Sequence, residues 1–542
     1  MLVANQKSKT LFPSVDQIPP EVRVSTEPYE LRYLIHGEIR KWNGPAQDIF
    51  SPVCLDNGQG PQRHTLGRTA LLTEQEALEA LDAACRAYAD GRGEWPTASV
   101  ADRIACMQAF IPRMQAVREV VVKLLMWEIG KTLSDAQKEF DRTVEYIRAT
   151  INALKDVDRA ASRFAIEEGI VGQVRRSPLG VVLCMGPFNY PLNETYTTLI
   201  PALIMGNTVI VKPPKYGTLL HLPLLEAFRD SFPKGVVNMI WGDGKTIITP
   251  IIRSGKINVL AFIGTSKVAD LLRQQHPIPH RLRCVLGLEA KNPAVILPDA
   301  DLDVTVRECV TGTLSYNGQR CTALKILFVH RSLAERFLKA FSEAVAKLPA
   351  GMPWESNVQL TPLPEDGKPE WLKSLVDEAI AKGGRIINPG GGQITGTYYT
   401  PAIVYPVSPD TQLYKVEQFG PVIPVVPFDR EEEVIDYVTQ SNYGAQISLF
   451  GNDPVVLGRM IDALVNQVCR INLNAQCQRG PDTFPFTGRK DSAEGTLSVS
   501  DALRAFSIRS LVATKGTSAN QELIRDIVTG RRSRFLSTDF IF

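Results

Sequence analysis

The feature that most constrains the fold is an alternation of short apolar runs with longer helical stretches, which begins near residue 170. The apolar runs are GVVLCM, NTVIVK, VVNMI, INVLAFIG and RCVLGL. Helical patterns lie between them near residues 193–206, 217–231, 244–254 and 266–275. Because parallel strands need crossover connections of this length, the alternation predicts an α/β fold with a doubly wound parallel sheet.

The flanking segments extend this pattern. A second α/β unit begins near residue 290 with PAVILPD, a helix over 302–316, the loop SYNGQRCTA and the strand KILFVH. Strand and helix patterns return over residues 411–460, and residues 465–475 read as a strand. The N-terminal third is predicted to be helical over 74–92, 99–128 and 132–156, after the strand-like ELRYLIHGEIR. The basic, polar stretch beyond residue 515 has no assignment.

Composition excludes several classes of protein. Sixty basic and fifty-eight acidic side chains among 542 residues give a net charge of +2. The overall charge therefore does not favour binding to nucleic acid or to an anionic membrane. The start, MLVANQKSKTLFPSVDQIPPE, lacks the apolar core of a signal peptide, and no window reaches the apolar length of a spanning helix. We therefore expect a soluble, cytoplasmic protein. Nine cysteines without CxxC pairs and six histidines without HExxH spacing predict neither a disulfide framework nor a metal site.

Four loops follow the predicted strands: GPFNYPLN, KPPKYG, WGDGK and IGTSK. Parallel sheets bind ligands at the carboxyl ends of their strands, so a nucleotide is expected here. The chain has no GxGxxG fingerprint, and a glycine pair such as Gly242 and Gly244 is weak evidence alone, because loop glycines are usually structural.

Taken together, the segments GPFNYPLN, VIVKPP, IGTS, NGQRCTA, EQFGPV and FPFTGRKDS have the order and spacing of the aldehyde dehydrogenase superfamily. The resemblance covers about residues 30–510. Through FNYP, GQRCTA and QRGPDTFPF the chain most resembles the non-phosphorylating, NADP-dependent glyceraldehyde-3-phosphate dehydrogenases.

The resemblance implies a domain organisation. Its parts are an NADP-binding domain over 30–169 and 181–290, a catalytic domain over 291–483, a small β oligomerisation element from 170–180 and 484–512, and a tail over 513–542 of unknown role. It also implies a homodimer or homotetramer.

Cys321 is the expected nucleophile. It lies in a polar loop between Arg320 and Thr322, where a cation and backbone N–H groups favour a thiolate. A cysteine without this context is usually an inert buried thiol. The resemblance implies that Asn189 donates to the oxyanion of the thiohemiacetal, whereas its alternative role is to cap the following helix.

The base that hydrolyses the thioester is an open question. The family has Glu four residues before the Lys of its LGGK segment, but LGLEAKNP places Gly287 there and Glu289 two residues later. Either Glu289 acts as the base or another group does, and a solvated loop carboxylate is the alternative for Glu289.

The resemblance also implies the cofactor ligands, which are Lys212, Lys215, Gly242, Gly264, Thr265, Ser266, Glu417 and Phe419. Lys215 stands where NAD-preferring members often have Glu, and a lysine there attracts the 2′-phosphate of NADP. Gly264, Thr265 and Ser266 open a helix whose N–H groups favour the pyrophosphate, although Thr265 alone is also an ordinary N-cap.

The substrate phosphate is predicted to lie on Arg142, Tyr190, Arg320 and Arg479, where the glyceraldehyde-3-phosphate enzymes have their phosphate ligands. Each has an ordinary alternative: Arg142 pairing with Glu139 on its helix, core packing for Tyr190, a thiolate partner for Arg320 and a surface charge for Arg479.

The sequence thus predicts oxidation of glyceraldehyde 3-phosphate to 3-phosphoglycerate with NADP. Two enzymatic alternatives stay open, a semialdehyde substrate and a coenzyme A acceptor. A non-catalytic nucleotide-binding relative is a third.

Overall fold

The computed structural model describes residues 11–541 of the chain. Residues 1–10 and Phe542 lie outside the described residues. Residues 1–10 begin the segment interpreted as lacking a signal peptide, and Phe542 ends the predicted tail.

An eight-stranded sheet forms the first half of the fold. In spatial order its strands are Glu38–Lys41, Arg32–Ile35, Val237–Met239, Thr208–Lys212, Val181–Met185, Val259–Ile263, Arg283–Gly287 and Ala493–Glu494. The five strands from Val237–Met239 to Arg283–Gly287 are parallel, and antiparallel strands close both edges. The strand order reverses between Val181–Met185 and Val259–Ile263, so the predicted doubly wound sheet is confirmed and its ligand-binding crevice lies after these two strands.

A seven-stranded sheet forms the second half. Its order is Arg385–Ile386, Ala402–Tyr405, Val422–Phe428, Leu324–His330, Asn292–Ile296, Gln446–Phe450 and Arg470–Leu473. All but the first strand run parallel. Its central strands are buried on both faces, which explains their continuous apolar runs.

A three-stranded antiparallel sheet pairs Ile170–Pro178 with Ala165–Glu167 on one side and Ser507–Lys515 on the other. This sheet extends three residues past the expected boundary at 512. The strands nearer residue 485 do not join it, because Arg489–Lys490 pairs with Tyr443–Gly444 and Ala493–Glu494 closes the first large sheet. Two further hairpins pair Ala46–Asp56 with Pro61–Ala70 and Ile394–Thr395 with Tyr398–Tyr399.

Helices cover the sheets on both faces. The α-helices are Glu74–Tyr88, Val100–Ala116, Arg118–Ile129, Leu133–Ala161, Asn193–Ile204, Leu225–Arg229, Gly244–Arg253, Ser266–Gln275, Leu302–Leu314, Arg331–Ala346, Lys368–Ala381, Gln412–Lys415, Glu431–Gln440, Pro454–Leu464, Val499–Ala505 and Ser518–Thr529. Short 3-10 helices are Val15–Gln17, Pro20–Val22, Ala89–Gly91, Leu219–Leu224, Pro279–Arg281 and Ser315–Gly318.

Two helix predictions were wrong in detail. The run over 99–128 is two helices, because the backbone leaves the helical region at Val117. The run over 217–231 begins as the 3-10 helix Leu219–Leu224, where Pro223 has no N–H to continue an α-helix. The unassigned end contains the helix Ser518–Thr529, whose N-terminus is capped by the Thr517 side chain.

Between residues 11 and 541 no helix combines the length and apolar character needed to cross a membrane. The domain boundaries and the cytoplasmic location stay predictions from the sequence.

Candidate active site

A cavity of about 770 Å³ opens at the carboxyl ends of the first sheet's parallel strands and reaches loops of the second sheet. It brings together sequence-predicted residues from six segments: Asn189, Lys212, Lys215, Gly264, Thr265, Gly287, Glu289, Cys321, Glu417 and Phe419. Gly242, Ser266, Tyr190, Arg142, Arg320 and Arg479 adjoin this group without lining the cavity.

The loop that carries Cys321 has a constrained backbone. It follows the helix Leu302–Leu314 and includes Tyr316 and Asn317 at φ of 50° and 54°, in the left-handed region that such residues rarely adopt. Hydrogen bonds hold this shape: Tyr316 Oη donates to the Ile129 carbonyl at 2.8 Å, and Asn292 Nδ2 donates to the Cys321 carbonyl at 2.7 Å. The loop therefore presents the thiol from a fixed position.

The thiol of Cys321 is protonated in the free protein. Burial and the Glu194 and Glu417 charges raise its pKa, the Lys325 and Arg479 charges lower it, and the net pKa is about 11. At pH 7 the thiol is therefore overwhelmingly in its neutral form.

Arg320 does not have the thiolate role expected from the sequence. Its Nη2 donates to Thr322 Oγ1 at 3.1 Å and to the Cys477 carbonyl at 3.4 Å. The cations that act on the thiol are Lys325 and Arg479 instead. Adjacency in sequence was misleading here because the Arg320 guanidinium is engaged by Thr322 and the Cys477 carbonyl.

Asn189 is buried in the cavity wall beside the nucleophile loop. Its Nδ2 donates one hydrogen bond to the Gln319 carbonyl at 2.9 Å, and an amide nitrogen carries a second N–H. The alternative capping role was wrong, since the helix Asn193–Ile204 has no side-chain cap. The amide thus borders the space next to Cys321.

A buried ion pair that the sequence prediction missed holds the Asn189 loop. Lys131 pairs with Glu139, and both side chains are fully buried. Lys131 Nζ donates to the Asn189 carbonyl at 2.9 Å, while Glu139 accepts from the Leu192 and Asn193 N–H groups at 3.1 Å each. The alternative considered for Arg142, pairing with Glu139, was therefore wrong.

Lys325 and Glu417 form a second buried pair beneath the nucleophile. Lys325 Nζ lies 2.8 Å from Glu417 Oε1, with the side chains 2% and 10% exposed. The same ammonium donates to the Arg320 carbonyl and lies 5.1 Å from the centre of the Phe419 ring. Sequence reasoning overlooked Lys325, although a lysine at the start of the apolar strand KILFVH was a signal, because an unpaired lysine is rarely buried.

Lys212 and Lys215 both line the cavity, but Lys215 is more exposed to solvent than Lys212. Lys212 is partly buried, which lowers its pKa, and it forms no ion pair within residues 11–541. Lys215 is exposed and lies 3.5 Å from Asp366 Oδ2. Nearby, Gly242 has φ of 148°, and a Cβ added there would lie 3.1 Å from the Leu72 carbonyl oxygen. The backbone conformation and the close packing therefore explain why glycine stands at this position.

The helix Ser266–Gln275 begins at the cavity, with Thr265 as its N-cap. Thr265 Oγ1 accepts from the Val268 N–H at 3.4 Å. Glu289 Oε2 accepts from the Ser266 N–H at 2.8 Å, and its Oε1 lies 3.4 Å from Ser266 Oγ. Glu289 is accordingly a helix-capping carboxylate here, and its charge acts on Glu417.

Gly287 ends the strand Arg283–Gly287 at the cavity wall. A Cβ added there would meet Ile263 carbons at 3.4 Å, an ordinary contact. The backbone at this position thus has room for a side chain.

Two of the predicted phosphate ligands, Arg142 and Arg479, are already engaged by carboxylates. Arg479 is 6% exposed; it pairs with Glu194, and its Nε donates to Asp482 Oδ1 at 3.2 Å. Arg142 Nη2 donates to the same Asp482 oxygen at 2.8 Å. Burial raises the pKa of Asp482, but the Arg142 hydrogen bond and the Arg479 charge outweigh it, so the pKa lies below its usual value. The surface role considered for Arg479 was wrong.

Tyr190 faces Lys131, whose ammonium lies 3.5 Å from the ring centre. The Tyr316 ring packs edge-on against it at 6.2 Å. The structure therefore brings Arg142 and Arg479 together around Asp482, with Tyr190 and Arg320 held by separate contacts.

Comparison with known proteins identifies the family of the chain. Residues 59–512 match the family model described as aldehyde dehydrogenase family. An NADP-dependent glyceraldehyde-3-phosphate dehydrogenase of Streptococcus equinus is 32% identical over 431 residues, 78% of this chain and 87% of the relative. A lactaldehyde dehydrogenase of Methanocaldococcus jannaschii is 26% identical, covering 88% and 99% of the two chains.

Solved structures show the same architecture. The NADP-dependent glyceraldehyde-3-phosphate dehydrogenase of Bacillus halodurans, complexed with NADP, superposes with a TM-score of 0.82 at 28% identity over 90% of this chain and 100% of that one. The family model spans most of the chain, and the Streptococcus equinus relative is 32% identical over 78% of it. The chain belongs to the aldehyde dehydrogenase family.

Proposed function

We propose that this aldehyde dehydrogenase oxidises its substrate with NADP through a thioester at Cys321. The observation that carries the proposal is the shared cavity, which is lined by Cys321 and Asn189 and also by the strand-end loops with Lys212 and Gly264. A nucleophile, an oxyanion donor and a nucleotide-sized crevice are what this chemistry needs.

The cavity residues fit NADP. Lys212 is a partly buried cation without an ion pair among the described residues, and a ribose hydroxyl or phosphate would satisfy it. Lys215 adds an exposed positive charge suited to the 2′-phosphate. Glu417 and Phe419 border the Cys321 end, where the nicotinamide would accept hydride. The relatives described above that are named for NADP support this cofactor.

The chain's own groups support each covalent step. Cys321 Sγ bonds to the aldehyde carbon after losing its proton, and Asn189 donates to the oxygen that gains negative charge. Departure of hydride from the same carbon, which the nicotinamide of bound NADP would accept, turns the thiohemiacetal oxyanion into a thioester. Water then adds to the carbonyl carbon, the carbon–sulfur bond breaks, and the thiolate and the acid are released.

Hydrolysis needs a base that the chain does not supply at the usual place, Gly287. We propose Glu289 for this step, and it must first leave Ser266, where it is held in the free protein. Glu194 also borders the cavity, but its carboxylate is engaged in a buried ion pair with Arg479.

Glyceraldehyde 3-phosphate is the first candidate substrate. Its support is the named activity of several relatives and the positions of Arg142, Tyr190, Arg320 and Arg479. Two of these arginines come together beside the cavity, and guanidinium groups suit a phosphate dianion.

A non-phosphorylated aldehyde is the second candidate, and a specific observation favours it. Glu194 and Asp482 neutralise Arg479 and Arg142, and Arg479 uses all three nitrogens in hydrogen bonds to Glu194, Asp482 and the Leu497 carbonyl. A phosphate would have to displace these carboxylates or lie beside them. The relative named lactaldehyde dehydrogenase supports this alternative.

The test is NADP reduction, followed by absorbance at 340 nm, with glyceraldehyde 3-phosphate, glyceraldehyde, a semialdehyde and lactaldehyde, with and without coenzyme A. For a phosphate site, kcat/KM should favour the phosphorylated aldehyde, and Arg479→Ala should reduce that preference by roughly tenfold or more. Equal values for glyceraldehyde and its phosphate would establish the second candidate. No turnover with any aldehyde would favour a non-catalytic relative.

We also propose self-association through the three-stranded sheet. Ile166 on one edge strand is 70% exposed, and Ile508 and Leu511 on the other edge strand are 43% and 62% exposed; exposed apolar side chains on edge strands favour contact with a second copy. Light scattering should give a dimer or tetramer; a monomer mass would contradict the proposal.

A further inference from the structure

Glu289 holds the N–H group that an anionic ligand of the cavity would use. Its carboxylate accepts from the Ser266 N–H at 2.8 Å, and Ser266 is the first residue of the ten-residue helix Ser266–Gln275. Gly264, Thr265 and Glu289 line the cavity together. The free end of this helix is therefore occupied by the protein's own negative charge.

A helix N-terminus has unpaired N–H groups and a partial positive charge, so it binds anions. A diphosphate in the same cavity needs this position and is repelled by a carboxylate that already lies there. Lys212 independently favours an anion in this cavity, because this partly buried cation has no ion pair within the described chain.

The Glu289 carboxylate faces Ser266 with both oxygens. Oε2 lies 2.8 Å from the Ser266 backbone nitrogen, and Oε1 lies 3.4 Å from Ser266 Oγ. In the free protein both oxygens are thus engaged at the start of the helix Ser266–Gln275.

We propose that Glu289 is an internal competitor of the nucleotide diphosphate: it caps the helix Ser266–Gln275 in the free protein and leaves the Ser266 N–H when NADP binds. This inference rests on the proposed binding of NADP in this cavity. Departure frees the carboxylate within the cavity, so nucleotide binding and the availability of Glu289 for hydrolysis are linked.

The test measures NADP binding without turnover. Calorimetric titration of wild type, Glu289→Gln and Glu289→Ala should give Kd values about tenfold lower in both variants, because each removes the competing charge. Glu365→Gln is the matched control, since it removes another cavity-lining carboxylate that has no contact with Ser266, and its Kd should stay within about twofold of wild type.

Thermal unfolding without nucleotide supplies the second measurement. Glu289→Ala should unfold at a lower temperature, because the helix loses its cap, while binding NADP more tightly. If the Glu289 carboxylate only stabilised the loop, its removal would lower both the unfolding temperature and the affinity for NADP. That outcome would overturn the inference, and so would unchanged Kd values. If wild type itself bound no NADP, the proposed function would fail and the inference with it.

Discussion

Replacing Lys325 with methionine removes the cation of a buried ion pair and keeps most of the side-chain volume. In the wild type, Nζ lies 2.8 Å from Glu417 Oε1, and the two side chains are 2% and 10% exposed. The variant leaves the Glu417 carboxylate in the cavity wall without its cation. Loss of one partner from such a pair costs about 3–5 kcal/mol of the free energy of unfolding.

The same change alters the nucleophile. Burial and the Glu194 charge raise the pKa of Cys321, and Lys325 is the first cation that opposes them. Without Lys325 the pKa should rise further above about 11. A shift of one unit lowers the thiolate fraction, and hence the alkylation rate at pH 9, by about tenfold.

Urea unfolding followed by tryptophan fluorescence, and iodoacetamide labelling of Cys321, measure the two effects. Glu417→Gln combined with Lys325→Met is the matched variant. It has neither charge, so it should recover much of the lost stability, giving a coupling energy of about 1 kcal/mol or more. Additive losses in the double variant, or a loss below about 1 kcal/mol in Lys325→Met, would refute the reasoning.

Three further outcomes follow from the cavity. Lys215→Glu should shift the kcat/KM preference from NADP toward NAD, because it places a negative charge against the 2′-phosphate; an unchanged ratio would remove Lys215 from the cofactor site. Alkylation of Cys321 in the free protein should accelerate about tenfold per pH unit up to its pKa of about 11, and a plateau near pH 8 would contradict a protonated thiol. Glu289→Gln should keep a burst of NADPH and lose later turnover, and added Gly287→Glu should restore it, since a Cβ at 287 makes only ordinary contacts; full steady-state turnover of Glu289→Gln would exclude Glu289 as the base.

The sequence predicted the large sheets well because buried parallel strands leave continuous apolar runs. GVVLCM and INVLAFIG become the neighbouring strands Val181–Met185 and Val259–Ile263. It did not predict which late strand joins Ile170–Pro178. Several short polar segments near residue 490 have strand propensity, and only tertiary contacts decide between them.

Loops that follow strands were predicted to meet, and Asn189, Lys212 and Cys321 do share one cavity. The partners of charged side chains were not predictable. Arg142 has Glu139 three residues away on its helix but pairs with Asp482, 340 residues later in the chain. Glu139 pairs with Lys131 instead, and both side chains are fully buried. A buried carboxylate needs a cation that is buried with it. Local spacing carries no information on such long-range pairs.

A covalent bond between Cys321 Sγ and the substrate carbon is central to the proposed reaction. Wild type, Cys321→Ser and a Cys309→Ser control should be mixed with NADP and aldehyde, quenched within one turnover, and digested for mass spectrometry of the peptide that contains residue 321. Wild type and the Cys309→Ser control should show an acyl adduct on Cys321 together with a burst of NADPH. Cys321→Ser should show neither, although it should still bind NADP. NADPH formation in Cys321→Ser, or an acyl adduct on a different residue, would contradict covalent catalysis by Cys321.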